Sequence, residues 1–363
     1  MKRIPALDGL RAVAAFVVFL SHVGFEKWVN GHLPVSLFFV LSGYLLASAF
    51  LREFDRTGSV DFKKFYKRRA LRILPPLFIC YSIIFAVNAF LDGPYPIKDA
   101  LAVALLIPNY RGTLFGLDGV KGSEVLWSLG VEEHFYLLFP LLFLIVMRRS
   151  KAHFVGACVF LFAALAILRI FFCHESMLIP PLGDADAATI LWGALLAVVA
   201  KPPKWSAVRV WLLVPGLVFV VAFSVRHALI NRVGFVVMMA PTAIVFGEIV
   251  RLAAHHPDRG VFRWLGSKPL VFFGKRSYVF YLIHSFTYQT AQRWLPEWSQ
   301  AVVGFFAAVV FSDILYRTVE APLTRASASV TNFYSYCDPA VYSGADKTCN
   351  AFRSPGRSLT GPK

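Results

Sequence analysis

Arg11 and His22 are the residues at which chemistry can begin. Both stand in the apolar stretch 9–27, and an ionisable group inside such a stretch is costly enough to be a functional candidate by default. Their spacing returns them to nearly the same helix face and separates them by about 16 Å along the axis. The same depth arithmetic brings Ser42, Glu132 and His284 to the level of His22, about 10 Å below one face of a hydrocarbon core about 30 Å thick. An imidazole near a carboxylate is a general base with a group to orient it. His22 and Glu132 are therefore the candidate catalytic pair, with Ser42 and His284 in support. The competing reading is a set of unrelated interhelical hydrogen bonds. Towards the other surface, Lys67, Arg68, Arg69 and Arg72 form a cationic cluster, with Arg69 and Arg72 on one helix face. Paired guanidiniums hold phosphate bidentately, while plain interfacial anchoring explains the same cluster equally well. Arg11, near the same surface, favours an anion site. An anion held there, with an arm reaching three helical turns to His22, has the outline of acyl-coenzyme A.

These residues need membrane helices to position them. The 363 residues are 57% hydrophobic, 15% aromatic and only 16% charged, and mean hydropathy is +0.61. A soluble enzyme, a disordered chain and a disulfide scaffold are excluded. Ten apolar segments follow one another at 9–27, 34–51, 73–91, 126–147, 152–173, 186–200, 207–225, 233–250, 271–291 and 299–316. They predict an all-α polytopic membrane protein with ten transmembrane helices. The stretch 99–107 is too short to cross and is followed by Pro108, so it reads as a re-entrant or surface helix. Placing the N-terminus inside collects Arg52 to Arg72, Arg148 to Lys151, Lys201 to Arg209, Arg251 to Lys268 and the residues from Arg317 onward on the cytoplasmic side, which satisfies the positive-inside rule with both termini cytoplasmic.

The net charge of +16 fits that loop asymmetry and anionic headgroups rather than nucleic acid. Cys80, Cys158 and Cys173 read as small hydrophobes, and Cys337 and Cys349 lie in the tail. Without CxxC or Cys/His spacing, reduced thiols and no metal are expected. The N-terminal apolar run reads as an uncleaved first helix, since Arg11 and His22 interrupt it and no cleavage site follows at once. Residues 1–325 form the membrane domain, and 326–363 read as a mobile polar cytoplasmic tail. His255-His256-Pro257-Asp258 reads as a solvated loop and His174-Glu175 as surface polarity. Arg169 reads as a snorkelling side chain, and Trp28, Trp127 and Trp298 as interfacial aromatics.

The segment "RIPALDGLRAVAAFVVFLSH" at 3–22 resembles the opening of the integral-membrane acyltransferase-3 family, with its Arg-x10-His motif. "FFVLSGYLL" at 38–46, "KRRALRILPP" at 67–76, "WSLGVEEHFYLLFP" at 127–140, "SYVFYLIH" at 277–284 and "YRTVEAP" at 316–322 resemble further landmarks of that family in the same order. The resemblance covers about 3–322. It implies an O-acyltransferase, most often an O-acetyltransferase, that uses cytoplasmic acetyl-CoA or another acyl-CoA as co-substrate and binds no resident cofactor. The implied acceptor is a hydroxyl of an extracytoplasmic or lipid-linked saccharide of the O-antigen or exopolysaccharide type. The implied partners are membrane lipids, acyl-CoA and the acceptor, in the inner membrane of a bacterium. By resemblance His22 is the essential histidine. Arg11 and the Arg69/Arg72 pair, with Arg68 beside them, handle the acyl donor. Trp127, Ser128, Glu132, Tyr136 and Glu320 match other family positions, and Gly130 and His134 are local variants. The chain looks like the stand-alone type, without a fused extracytoplasmic domain. Direct transfer with His22 as base is the favoured mechanism; a covalent acyl group on His22 or Ser42 is the alternative. The rival functions are a transporter or flippase of glycan or lipid intermediates, for which a repeat is lacking, and a membrane sensor.

Overall fold

A computed structural model describes residues 4–25, 28, 30–172, 186–199, 203–226 and 232–326. Among them the regular structure is entirely helical. Each of the ten predicted segments is occupied by a long helix: α1 (Pro5–Leu20), α2 (His32–Thr57), α3 (Phe62–Asp92), α6 (Trp127–Met147), α7 (Lys151–Phe172), α8 (Ala187–Val199), α9 (Ala207–Arg226), α10 (Arg232–His255), α12 (Lys268–Trp294) and α13 (Glu297–Leu315). Three short helices complete the set: α4 (Ile97–Ala104), α5 (Arg111–Phe115) and α11 (Gly260–Leu265). Among the described residues four stretches are long and apolar enough to cross a membrane: His32–Thr57, Phe62–Asp92, Glu124–Met147 and Glu297–Ala326. The eight residues of α4 rise only about 12 Å, well short of a span.

Local chemistry sets the helix ends. Pro5 opens α1 at a position where its missing N–H is not needed. Gly58, in the left-handed region at φ 69°, closes α2 by donating its N–H to the Phe54 carbonyl at 2.8 Å. Asp61 caps α3 by accepting the Lys64 N–H at 2.9 Å. Leu295 is extended because Pro296 follows it, and α12 stops there. α3 is 31 residues long, about 46 Å, so its Lys/Arg-rich start extends past the hydrocarbon core, and Arg69 and Arg72 lie about two and nearly three turns along it.

Packing places the polar helices at the centre. α1 lies against α12, and the Gly274 Cα faces the Asp8 carbonyl so closely that any Cβ there would collide with it. α2 lies against α8 through a reciprocal pair, Gly43 beneath the Ile190 carbonyl and Gly193 beneath that of Val40. Small residues let backbones approach in this way where lipid supplies no hydrophobic drive between helices. α6, α9 and α13 turn outward Leu137, Leu138, Trp211, Val218, Phe306 and Val310, all more than half exposed. The outer surface is thus apolar, and α1 and α12 carry their ionisable groups inside it. Ile4 and Arg325 line one pocket and so share one end of the bundle.

Candidate active site

Five helices supply the site. A central cavity is lined by Arg11 of α1, Ser42 of α2, Arg69 and Arg72 of α3, Ser128 and Glu132 of α6, and Lys275, Tyr278 and Tyr281 of α12. Phe38, Phe39, Ile73 and Leu129 complete its walls. It continues into a vestibule at the end of the bundle that holds Ile4 and Arg325, because Arg11, Arg72 and Lys275 line both spaces. The vestibule adds Asp8, Glu320 and Arg325. The approach from that end is therefore cationic, as an anion site requires.

Glu132 is the hub of the central cavity. It accepts the Ser42 hydroxyl at 3.0 Å and the Tyr136 hydroxyl at 3.1 Å, and Arg69 lies 3.8 Å away. The Arg69 guanidinium covers the Tyr136 ring, with Cζ 3.1 Å from the centroid, a desolvated cation over an aromatic face. Arg72 is 4.0 Å from Glu320. Ser128 and Tyr281 hold their hydroxyls 2.7 Å apart, joining α6 to α12. Ser42 and Gly43 divide two tasks between neighbours: the glycine makes the close approach to α8, and the serine faces the cavity.

His22 stands at the opposite end. The first helix ends at Leu20, so His22 occupies the following turn instead of the helix interior foreseen for 9–27. Its Nδ1 lies 2.8 Å from the Val18 carbonyl. A carbonyl only accepts, so Nδ1 carries the proton and Nε2 keeps its lone pair. His22 lines an outer pocket with Lys121, Ser285, Tyr288 and Arg293. Glu132 does not orient it; the Val18 carbonyl takes that part. Between the two spaces lies His284, wholly buried. Its ring is 5.1 Å from that of His22 and is stacked on Phe280 at 5.6 Å. Its Nδ1 donates to the Tyr281 carbonyl at 2.9 Å, and its Nε2 has no partner among the described residues. Leu282 lines the central cavity and Ser285 the outer pocket. The partition is thus about 5 Å of α12, less than one turn.

The four polar groups expected at one depth are sorted into two pairs. Ser42 bonds to Glu132 in the central cavity, and His22 meets His284 at the partition. Arg68 is exposed and is not on the cavity wall. Trp127 packs its ring 5.1 Å from His32 and 6.4 Å from Phe39, outside the lining. Tyr136 lies beneath Arg69, and Glu320 lies in the vestibule. His255 closes α10, and His256 Nε2 donates to the Pro203 carbonyl at 2.6 Å, far away in the sequence, so this stretch is not simply a solvated loop. Cys80 and Cys158 are buried free thiols. Cys173, His174, Glu175, the Arg169 side chain and 327–363 lie outside the described residues. The sequence reading passed over Lys275, Tyr278 and Tyr281. Lys275 was findable, since Lys275-Arg276 interrupts an apolar segment; its neighbour Arg276 instead bonds to Asp313 of α13 at 2.5 Å.

The comparisons with known proteins agree with the motifs. A Staphylococcus aureus strain COL protein with a provisional O-acetyltransferase name is 26% identical over 362 residues, covering 92% of this chain and 59% of the relative. The O-acetyltransferase OatA of Staphylococcus aureus strain NCTC 8325 is 26% identical over 351 residues, covering 89% of this chain and 57% of the relative. The chain thus spans somewhat under three-fifths of the length of these curated relatives. No solved structure matches. The family model described as an acyltransferase domain matches residues 4–317, from the first described residue into the turn that ends α13, and the chain belongs to this acyltransferase-3 family of membrane proteins.

Proposed function

We propose that this protein is an O-acetyltransferase of the bacterial cytoplasmic membrane that takes acetyl-CoA from the cytosol and acetylates a saccharide hydroxyl on the far side. One observation carries the reading: a single helix, α1, places Arg11 in a cationic cavity open towards Ile4 and Arg325, and the turn after it places His22 in a pocket at the opposite end. The vestibule cations suit the donor's phosphates, and the central cavity suits its thin arm. The helix count, the cytoplasmic placement of the chain ends and the nature of both substrates belong to this proposal.

The chemistry follows from the tautomer. His22 Nε2 removes the proton of the acceptor hydroxyl, and the oxygen attacks the thioester carbonyl. The Ser128–Tyr281 hydroxyl pair lies on the cavity wall with its protons directed to the Val125 carbonyl and to each other; one hydroxyl turns from that carbonyl to donate to the developing oxyanion. The C–S bond breaks, and coenzyme A leaves through the cationic vestibule with a proton returned from His22 to sulfur. Admitting the thioester to His22 requires the side chains of the Tyr281–Ser285 turn to shift, since that turn separates the two spaces. The test is cell-surface glycan O-acetylation in a strain lacking the gene, complemented by wild type or by His22→Ala. Wild type restores the ester and His22→Ala, inserted at equal level, does not. Equal restoration by both overturns the reading.

A further inference from the structure

We propose that the outer pocket is the acceptor site, that it selects an uncharged sugar carrying neighbouring hydroxyls, and that Gln289 and Gln292 of α12 are its recognition residues. The inference rests on the acyl-transfer reading above. Ser285, Gln289 and Gln292 follow one another at spacings of four and three, so they form one stripe on α12 facing the pocket. Carboxamides near the end of a membrane helix are stable there only when hydrogen-bonded or open to water or a ligand.

The two glutamines differ in how they are held. Gln289 Nε2 donates to the Ser285 hydroxyl at 3.1 Å and to Glu124 at 3.3 and 3.4 Å. Glu124 is itself fixed by the Gly122 N–H at 2.9 Å. With its nitrogen so engaged, Gln289 presents its carbonyl oxygen as an oriented acceptor for a hydroxyl proton. Gln292 is exposed and makes no hydrogen bond to a described residue, so it offers both donors and an acceptor. The cations of the pocket are already matched. Arg293 holds Asp92 through bonds of 2.8 and 2.6 Å, and Lys121 is 3.5 Å from the same carboxylate. Asp92 takes both cations and Glu124 adds a second carboxylate beside Gln289, so the two positive charges are offset and the pocket offers directed hydrogen bonds and little net charge. Amide, hydroxyl and a single imidazole lone pair match adjacent sugar hydroxyls, one of which lies at His22. A carboxylated sugar would meet the Gln289 oxygen and a cation pair already occupied.

The probes are methyl glycosides of neutral hexoses and of a hexuronic acid, offered to the full chain in nanodiscs. Calorimetric binding and acetyl transfer from acetyl-CoA are both measured, for wild type, Gln289→Leu and Gln292→Leu. The expected result is binding of a neutral glycoside in preference to the uronate. Each variant should weaken it at least fivefold and raise the acceptor KM in step, with the acetyl-CoA KM and the melting temperature unchanged. Unaltered binding and acceptor KM in both variants, preference for the uronate, or absence of glycoside binding to wild type overturns the proposal. Glycoside binding that the variants weaken, without acetyl transfer by wild type, leaves the pocket standing and removes the acyl-transfer reading instead.

Discussion

Ser42 shows how much a single side chain decides. Its hydroxyl bonds to Glu132, which also holds Tyr136 and faces Arg69. Losing one such hydrogen bond weakens a site by about 0.5–1.5 kcal/mol. Ser42→Ala should therefore keep acetyl transfer within about tenfold of wild type in an initial-rate assay, whereas a covalent acyl carrier at that position would lose it entirely. Arg69→Lys is the harsher change despite keeping the charge. An ammonium cannot lie flat on the Tyr136 ring or grip a phosphate with two parallel bonds, so the acetyl-CoA KM should rise about tenfold or more while the acceptor KM stays constant. An unchanged donor KM would remove Arg69 from the donor site. Ionisable residues in apolar segments were the legible signal at this scale, and it singled out Arg11, His22, Glu132 and His284. It could not tell which belonged together. Depth along the membrane normal gives a height and says nothing of azimuth, so groups at one height proved to lie on two sides of a partition.

At the scale of elements, apolar runs were readable and their ends less so. Every predicted segment holds a helix, yet α2 and α3 continue through charged residues, 52–57 and 62–72, that hydropathy had set outside them. A helix gains nothing by stopping at the edge of lipid, and its caps fix the end instead: Gly58 and Asp61. Helix pairing was not legible at all. The α2–α8 crossing depends on Gly43 and Gly193 meeting carbonyls of the partner helix, a relation between residues far apart in sequence. Gly43→Val should force these helices apart and lower stability by about 1–3 kcal/mol, read as an earlier thermal unfolding transition in detergent. Asp61→Ala removes only a cap, about 1 kcal/mol, at a solvent-exposed turn. It should therefore shift that transition less and leave the acetyl-CoA KM unchanged.

Considered as a whole molecule, the bundle reverses the pattern of a soluble protein. α6, α9 and α13 turn apolar side chains outward, and α1 and α12, neither of which qualifies as a plain membrane span, carry the ionisable residues of the proposed site at the centre. Composition alone foretold apolar helices long enough for a membrane, and the sidedness read from loop charge belongs to the proposal. The partition across α12 was invisible, since it exists only where Tyr281, Leu282 and His284 meet the turn after α1. The division has a direct consequence for sidedness. Single cysteines at Gln292 and at Arg325 should be labelled by an impermeant thiol reagent from opposite faces of intact cells and inverted vesicles. Sidedness of the reaction is the decisive observation. Sealed proteoliposomes of uniform orientation would receive acetyl-labelled acetyl-CoA only on the face bearing Arg325, with the acceptor glycan only on the other. Label should appear as an ester on the acceptor across the bilayer, and His22→Ala should abolish it. Label transferred only when donor and acceptor share one face, or retained by His22→Ala, would contradict the two-sided arrangement.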